Sequence, residues 1–133
     1  MLFRSTFAKI AGGKVPNDTP IDGKDMTDFF LGKNQQSGRD GFVVYMGNDI
    51  FGVKWRNWKL NFMEQESGFG EVKEYKFPRL YNLLDDPQER NNVLMTYTWV
   101  PKPALKQLVE HKASLAKFPP IKMGAEDPYM PPK

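Results

Sequence analysis

Residues 42–62, FVVYMGNDIFGVKWRNWKLNF, decide the fold of this chain. Residues 42–46 and 50–55 are rich in β-branched and aromatic side chains, which favour strands. Residues 58–62 alternate apolar and polar side chains, as a strand with one buried face does. The runs are separated by two-residue turn signals, Gly47-Asn48 and Arg56-Asn57. The stretch therefore predicts three antiparallel strands joined by tight hairpins, with Asn57 suited to the positive φ of such a loop.

Downstream of this stretch the pattern predicts more sheet and then helices. Residues 72–77 predict a fourth strand and residues 80–83 a short fifth one. The helix-start signature at Asp86 predicts a short helix to about Met95, because Pro87 and Glu89 suit the first turn. Amphipathic spacing predicts a longer helix from residues 101–103 to just before Pro119. Strands followed by helices are typical of α+β domains. We therefore expect an antiparallel sheet of about four strands packed against a long C-terminal helix.

Upstream of the sheet the pattern predicts a short helical segment. Residues 2–11 place apolar side chains on one stripe, without a convincing N-cap, and stop at Gly12-Gly13. Residues 25–31 predict a second short helix, capped by Asp25 and ended by Gly32. The whole chain, 1–133, is expected to form a single domain. Its expected parts are a helix and loop linker (1–40), an antiparallel meander (41–84), helices (85–118) and an extended tail (119–133).

Composition excludes much catalytic chemistry. The 133 residues include no cysteine and one histidine, His111, so disulfides, a cysteine nucleophile and multi-histidine metal sites are excluded. The formal charge of +3 is dispersed along the chain, whereas nucleic-acid-binding proteins cluster positive charge on one face. No stretch reads as a signal peptide or a membrane span. We therefore expect neither a nucleic-acid nor a membrane partner.

Three groups of ionisable residues suggest chemistry, and each has a structural interpretation that we favour. Asp85 and Asp86 resemble paired catalytic carboxylates, but the Pro and Glu that follow indicate a capped turn. Residues 22–25, DGKD, lack the ligand spacing and closing Glu of a calcium hand, which indicates a turn and an N-cap. His111 lies on the long helix without a companion acid or base. We predict no catalytic, cofactor-binding or metal-binding residue.

The hairpin residues Trp55, Arg56, Trp58 and Lys59 are the candidate contact site. Tryptophan interleaved with cations can stack sugar rings or bases. Paired tryptophans flanked by Lys and Arg are also an ordinary cross-strand arrangement, and Trp55 and Trp58 are expected to face each other across the hairpin. We favour a structural or domain-docking role over ligand binding at this site.

Four strings in order resemble the C-terminal region of the sulfatase family, in particular its bacterial arylsulfatase branch. Residues 51–60, FGVKWRNWKL, resemble the strand that ends in a Trp-Lys-Leu string, and residues 80–89, LYNLLDDPQE, the Leu-Tyr-Asn-Leu string with its Asp-Pro-x-Glu turn. Residues 20–25, PIDGKD, with residues 29–32, FFLG, resemble the segment that joins the catalytic domain to this region. Residues 3–12 resemble the helix before it, although the family usually has Pro where Ser5 or its neighbour stands.

The resemblance implies a sulfate-ester hydrolase of the alkaline-phosphatase-like superfamily. It also implies that the catalytic residues of this hydrolase lie outside the present chain. Sulfatases use a formylglycine made from Cys or Ser in a C/S-x-P/A-x-R motif, beside a calcium ion. None of Ser5, Ser37, Ser67 or Ser114 is followed by the required residues. No family catalytic residue can be placed on this chain, so calcium and formylglycine are expected only in the catalytic domain, upstream of Met1.

The resemblance thus predicts a C-terminal, non-catalytic fragment that supports the catalytic domain and one side of the substrate cleft. Its expected partner is that N-terminal catalytic domain, or a second copy through the same surface. The family is often periplasmic or secreted, so the compartment stays open. The alternative is a stand-alone carbohydrate- or anion-binding module that uses the Trp55 and Trp58 hairpin.

Overall fold

The protein is described by a computed structural model, which covers residues 3–15, 21 and 23–119. Its elements are α1 (Arg4–Ile10), α2 (Thr27–Phe30), β1 (Gly41–Met46), β2 (Asp49–Trp55), β3 (Trp58–Gln65), β4 (Val72–Asn82) and α3 (Pro101–Lys117). The strands form one antiparallel sheet in the order β1-β2-β3-β4. The predicted α+β fold, with a four-stranded sheet, a long C-terminal helix and a short helical segment before it, is confirmed.

The centre of the molecule is a row of paired aliphatic side chains on one face of the sheet. Val53 pairs with Leu60, and Leu60 pairs with Leu80, across three neighbouring strands. All three are fully buried, as is Val100 just before α3. Helix α3 packs over β1 and β2 on this face and buries Ala104 against it. Removal of this apolar surface from water is the main term that holds helix and sheet together.

The hairpin between β2 and β3 has the predicted length, but a different residue takes the left-handed conformation. Arg56, and not Asn57, has a positive φ of 52°. The backbone N–H of Arg56 donates to the Asp40 carbonyl at 2.6 Å, and the Lys54 ammonium donates to the Arg56 carbonyl at 2.5 Å. These two bonds hold Arg56 in a conformation that ordinarily disfavours a long side chain.

The fourth and fifth predicted strands are one continuous strand, β4. Strand β3 runs on to Gln65, so that residues 72–74 find a partner that the sequence pattern did not indicate. The register shifts between Asn61 and Met63, and Pro78 lies in the part of β4 opposite that shift. A proline is tolerated there because an irregularity on an outer strand does not require its missing N–H.

The prediction of a short helix that begins at Asp86 was wrong, because the segment from residue 83 to residue 100 forms turns. Glu89 has a positive φ of 57° and turns its carboxylate towards the sheet, so it does not complete a capping box. The segment lies along the outer edge of β4. There the N–H of Leu80 donates to Asn92 Oδ1 at 3.0 Å and the N–H of Val93 donates to the Leu80 carbonyl at 2.8 Å.

The two N-terminal helices end where glycine predicts, since Gly12 and Gly32 have φ of +75° and +71°. Helix α2 begins two residues after Asp25, whose carboxylate accepts the backbone N–H of Thr27 at 2.9 Å. Asp25 therefore caps the helix from just outside it. Most of the predicted loop at residues 14–23 and nearly all of the predicted tail at residues 119–133 lie outside the described residues.

Candidate functional site

The hairpin brings the predicted tryptophans together, but it places one of them in the core. Trp55 and Trp58 are directly paired across the hairpin, as expected. Trp58 is only 7% exposed, and its ring lies 4.7 Å from the ring of Tyr97. A buried ring cannot serve as an open stacking platform, so Trp58 links the hairpin to the segment before α3.

Trp99 packs against both hairpin tryptophans and forms an aromatic cluster with them. The sequence pattern did not predict this contact. The Trp99 ring packs edge-on against Trp55 at 6.0 Å and against Trp58 at 6.1 Å, yet 57% of the residue is exposed. Such edge-to-face arrangements are favourable between aromatic rings. Trp99 is far from Trp58 along the chain, and no local pattern connects the two. The signal available in the sequence was that a third large aromatic residue directly precedes Val100 and the proline at the start of a helix.

Arg56 lies at the solvent-facing end of the cluster. Its guanidinium stacks over the ring of Trp55 at 5.0 Å and approaches the carboxylate of Asp40 at 3.7 Å. Both partners of that ion pair are well exposed, so the pair contributes little to stability. Trp55, Trp99 and Arg56 thus form a partly exposed surface of the residue types enriched at protein interfaces, and we call it the aromatic hairpin surface.

Lys59 points to the opposite face of the sheet and is held by internal partners. Its ammonium donates to Glu89 Oε1 at 2.6 Å and lies 5.5 Å from the ring of Phe51. Asn61 donates its side-chain N–H to the other carboxylate oxygen of Glu89 at 3.0 Å. The Lys59 and Glu89 side chains are only 19% and 26% exposed. Lys59 is therefore part of the contact that fixes the 83–100 segment on the sheet, and it stands apart from the aromatic hairpin surface.

Asp85, Asp86 and His111, the ionisable residues considered as candidates in the sequence, make contacts within the protein. Asp86 accepts the backbone N–H of Asn91 at 2.7 Å, and this bond holds the pKa of the Asp86 carboxyl below its usual value. Asp85 accepts the side-chain N–H of Asn82. His111 Nε2 shares a 2.6 Å hydrogen bond with the hydroxyl of Tyr45. Within residues 3–15, 21 and 23–119, no group of three or more His, Cys, Asp or Glu is placed to hold a metal ion.

Polar groups join helix α1 to the segment that leads into α2. Ser5 Oγ donates to the Gly23 carbonyl at 3.1 Å, and Thr6 Oγ1 accepts the N–H of Met26 at 3.0 Å. Ser5 and Thr6 are buried. The Lys9 ammonium donates to Asp25 at 2.5 Å, which, with the hydrogen bonds from Thr27, lowers the pKa of the Asp25 carboxyl to about 2. Because that pKa is depressed, this contact persists at neutral pH and is lost as the pH falls towards 2.

The apolar side chains of this helix pair point outwards. Between 49% and 65% of Phe3, Phe7, Ile10 and Phe30 remains exposed. Together with Thr6 they line an apolar depression of about 390 Å³. An isolated amphipathic helix pair normally buries its apolar stripe and exposes its polar one. Here the arrangement is reversed, and we call the exposed side the apolar helix face.

A second concavity, of about 710 Å³, lies between β1 and the C-terminal half of α3. Its lining includes Phe42 and Tyr45 from β1 and Glu110 and His111 from α3, together with charged residues of the loop before the sheet. None of the described helices is long and apolar enough to span a bilayer.

The described residues thus make an α+β unit with an exposed apolar helix face and an aromatic hairpin surface. The sequence model for the C-terminal region of aryl-sulfatase matches residues 37–132. This match covers most of the chain, and the chain belongs to that family. The predicted resemblance to the C-terminal region of the sulfatase family is confirmed. The strings at residues 51–60 and 80–89 lie within the match, whereas those at residues 3–12 and 20–32 lie before it.

Curated relatives and solved structures agree with this assignment. In an alignment 108 residues long, the chain is 29% identical to human (Homo sapiens) steryl-sulfatase, with coverage of 65% of this chain and 18% of that protein. In an alignment 106 residues long, it is 26% identical to the mouse (Mus musculus) steryl-sulfatase, with coverage of 64% of this chain and 17% of that protein. The fold is similar to that of the PsFucS1 sulfatase from Pseudoalteromonas sp., with a TM-score of 0.79 and 23% identity over 90% of this chain and 26% of that one. A second similar structure, from Bacteroides thetaiotaomicron, has a TM-score of 0.62 at 23% identity and covers 82% of this chain and 24% of that one. The chain spans about a quarter or less of each of these proteins.

Proposed function

We propose that this chain is the non-catalytic C-terminal part of an aryl-sulfatase, which docks on the catalytic domain and thereby supports one side of the substrate cleft. The observation that carries the proposal is the apolar helix face. Large exposed apolar patches on soluble proteins mark contact surfaces. A helix pair that buries Ser5 and Thr6 and exposes Phe3, Phe7 and Phe30 is arranged to receive a further apolar layer.

The size of the family members supports this choice of partner. Relatives that contain this region are about three and a half to four and a half times as long as the chain, so most of a sulfatase lies outside it. The aromatic hairpin surface offers a second contact with the same partner, because exposed Trp99 and Arg56 are typical anchors of protein interfaces. The glycan-binding alternative is not proposed, since Trp58 is buried and Lys59 is committed to Glu89.

The proposal implies that the purified chain does not hydrolyse sulfate esters. The sequence contains no cysteine, and its serines lack the residues that the family requires for formylglycine. We expect no turnover of a nitrophenyl sulfate above the buffer rate, with or without added calcium, while an active aryl-sulfatase assayed in parallel releases nitrophenol. Turnover that follows the chain through purification would contradict the non-catalytic role.

The proposal also implies that the chain without its partner self-associates through the apolar helix face. The double substitution Phe7→Asp with Phe30→Asp is expected to weaken self-association in sedimentation velocity by about 100-fold or more. A buried phenylalanine contributes ~1.5–3 kcal/mol, and 1.4 kcal/mol corresponds to tenfold. Phe77→Asp is the matched control, because Phe77 is 79% exposed on β4, away from the helix pair. An equal effect of both variants, or a monomeric wild type at high concentration, would argue against this surface.

A further inference from the structure

The two edge strands of the sheet, β1 and β4, differ in how well they are protected from pairing with a further strand. The outer edge of β4 is covered by the 83–100 segment through Asn92 and Val93. Strand β4 also carries Lys73, Glu74, Lys76, Pro78 and Arg79, which are the residue types that keep an edge from pairing with another chain. This edge is therefore closed to strand addition along the part that the segment covers, and guarded by charge elsewhere.

Strand β1 forms the other edge and lacks the charged residues and the proline that β4 carries. Its six residues, GFVVYM, include no charged residue and no proline. In the described part of the chain no strand pairs with its outer edge, and residues of β1 line the concavity of about 710 Å³. Phe42 and Tyr45 are 45% and 41% exposed. An uncharged, β-branched and aromatic edge of this length is a template for pairing with a further strand.

We propose that the outer edge of β1 pairs with β1 of a second copy of this chain, antiparallel and about a two-fold axis. An antiparallel edge is self-complementary, because a two-fold rotation presents the same strand to itself in the opposite direction. Pairing joins two four-stranded sheets into one of eight strands. It stops at two copies, since the β4 edges at both ends are covered or charged.

The charges that flank β1 fit the same occupant. Lys24 and Arg39 lie beside the concavity, and so do Asp40 and Glu110. A surface that carries both signs has no net charge with which to repel its own copy, whereas a partner of one sign would meet repulsion from half of these groups. This surface is distinct from the apolar helix face, and the two modes of association can be separated by mutation.

The experiment starts from the Phe7→Asp/Phe30→Asp variant, in which association through the apolar helix face is expected to be weakened. Sedimentation of this variant is expected to show a concentration-dependent dimer of about twice the 15.3 kDa of one chain. Phe42→Glu in that background is expected to weaken the dimer at least tenfold, because a carboxylate then stands beside the paired edge. The introduced carboxylate has a cation within reach in the folded monomer, since the Lys54 ammonium lies 5.9 Å from the Phe42 ring. Phe77→Glu, on the covered β4, is the matched control and is expected to leave the dimer unchanged.

Amide hydrogen exchange tests the edge without altering it. The outward-facing amides of residues 41–46 are expected to exchange more slowly at high protein concentration in the Phe7→Asp/Phe30→Asp variant, while amides of β4 do not change. Far-ultraviolet circular dichroism confirms that each variant is folded. A monomer at all concentrations, equal effects of Phe42→Glu and Phe77→Glu, or exchange at residues 41–46 that is independent of concentration would each overturn the inference. The apolar helix face is tested separately, by comparing the Phe7→Asp/Phe30→Asp variant with the unmodified chain.

Discussion

Replacing Leu60 with alanine is expected to lower the free energy of unfolding by ~2–5 kcal/mol, the range for a buried leucine that leaves a cavity. Leu60 is fully buried and lies between Val53 and Leu80, its partners on the two neighbouring strands, which are fully buried as well. Both neighbours are held in the sheet by backbone bonds and cannot move in to fill the space. The loss is a large share of the roughly 5–15 kcal/mol that typically stabilises a domain.

Urea unfolding followed by far-ultraviolet circular dichroism measures this loss. The Phe7→Asp/Phe30→Asp background at low concentration is the appropriate one, because dissociation would otherwise contribute to the apparent stability. Leu84→Ala is the matched control, since Leu84 is 78% exposed and its truncation should change stability by no more than about 0.5 kcal/mol. Similar losses for the two variants would mean that Leu60 is not at the centre of the core.

Replacing Gly52 with alanine is expected to cost ~1–3 kcal/mol or more, although only one methyl group is added. A Cβ on Gly52 would lie 2.6 Å from the carbonyl oxygen of Leu60 and 2.8 Å from Asn61 Oδ1 on the adjacent strand. Gly52 is buried in the middle of β2, paired with both β1 and β3, so the strand cannot shift without disturbing two ladders. The close approach of the β3 backbone therefore requires glycine at this position.

Gly68→Ala is the matched control for this second substitution. A Cβ on Gly68 would meet nothing within 4 Å, and its φ is not positive. Alanine there should be neutral or slightly stabilising, because it reduces the conformational freedom of the unfolded chain. The two variants are compared in the same urea titration. If Gly52→Ala were as stable as Gly68→Ala, β2 and β3 would be farther apart than the structure places them.

Local signals in the sequence predicted the sheet because hairpins are encoded by neighbouring residues. The turn signals at Gly47-Asn48 and Arg56-Asn57 set the first two hairpins, and the pairing of Trp55 with Trp58 followed from the two-residue loop alone. The glycine stops of the two N-terminal helices were equally local. In each case the residues that set the conformation are within a few positions of the residues that adopt it.

The 83–100 segment could not be predicted in this way because its conformation depends on distant partners. Asp86 and Glu89 have the spacing of a capping box, but Glu89 is drawn to Lys59 and Asn61, about 30 positions away, and takes a left-handed φ. A weak local preference for helix is outweighed by a half-buried, charge-assisted contact. The observed site differs from the predicted one for the same reason. The sequence predicted that Trp55 and Trp58 are paired, but the contacts of Trp99 with both rings and of Lys59 with Glu89 depend on the tertiary fold.

The aromatic cluster also concentrates the tryptophan fluorescence of the chain in one region. All three tryptophans of the sequence lie in one place, within about 6 Å of a neighbouring ring, where β2, β3 and the start of α3 meet. Indole emission therefore reports whether the turn segment is seated on the hairpin. It carries no information about the helix pair at the N-terminus, which contains phenylalanine but no tryptophan. The two halves of the chain can be followed separately, by emission for one and by an engineered fluorophore for the other.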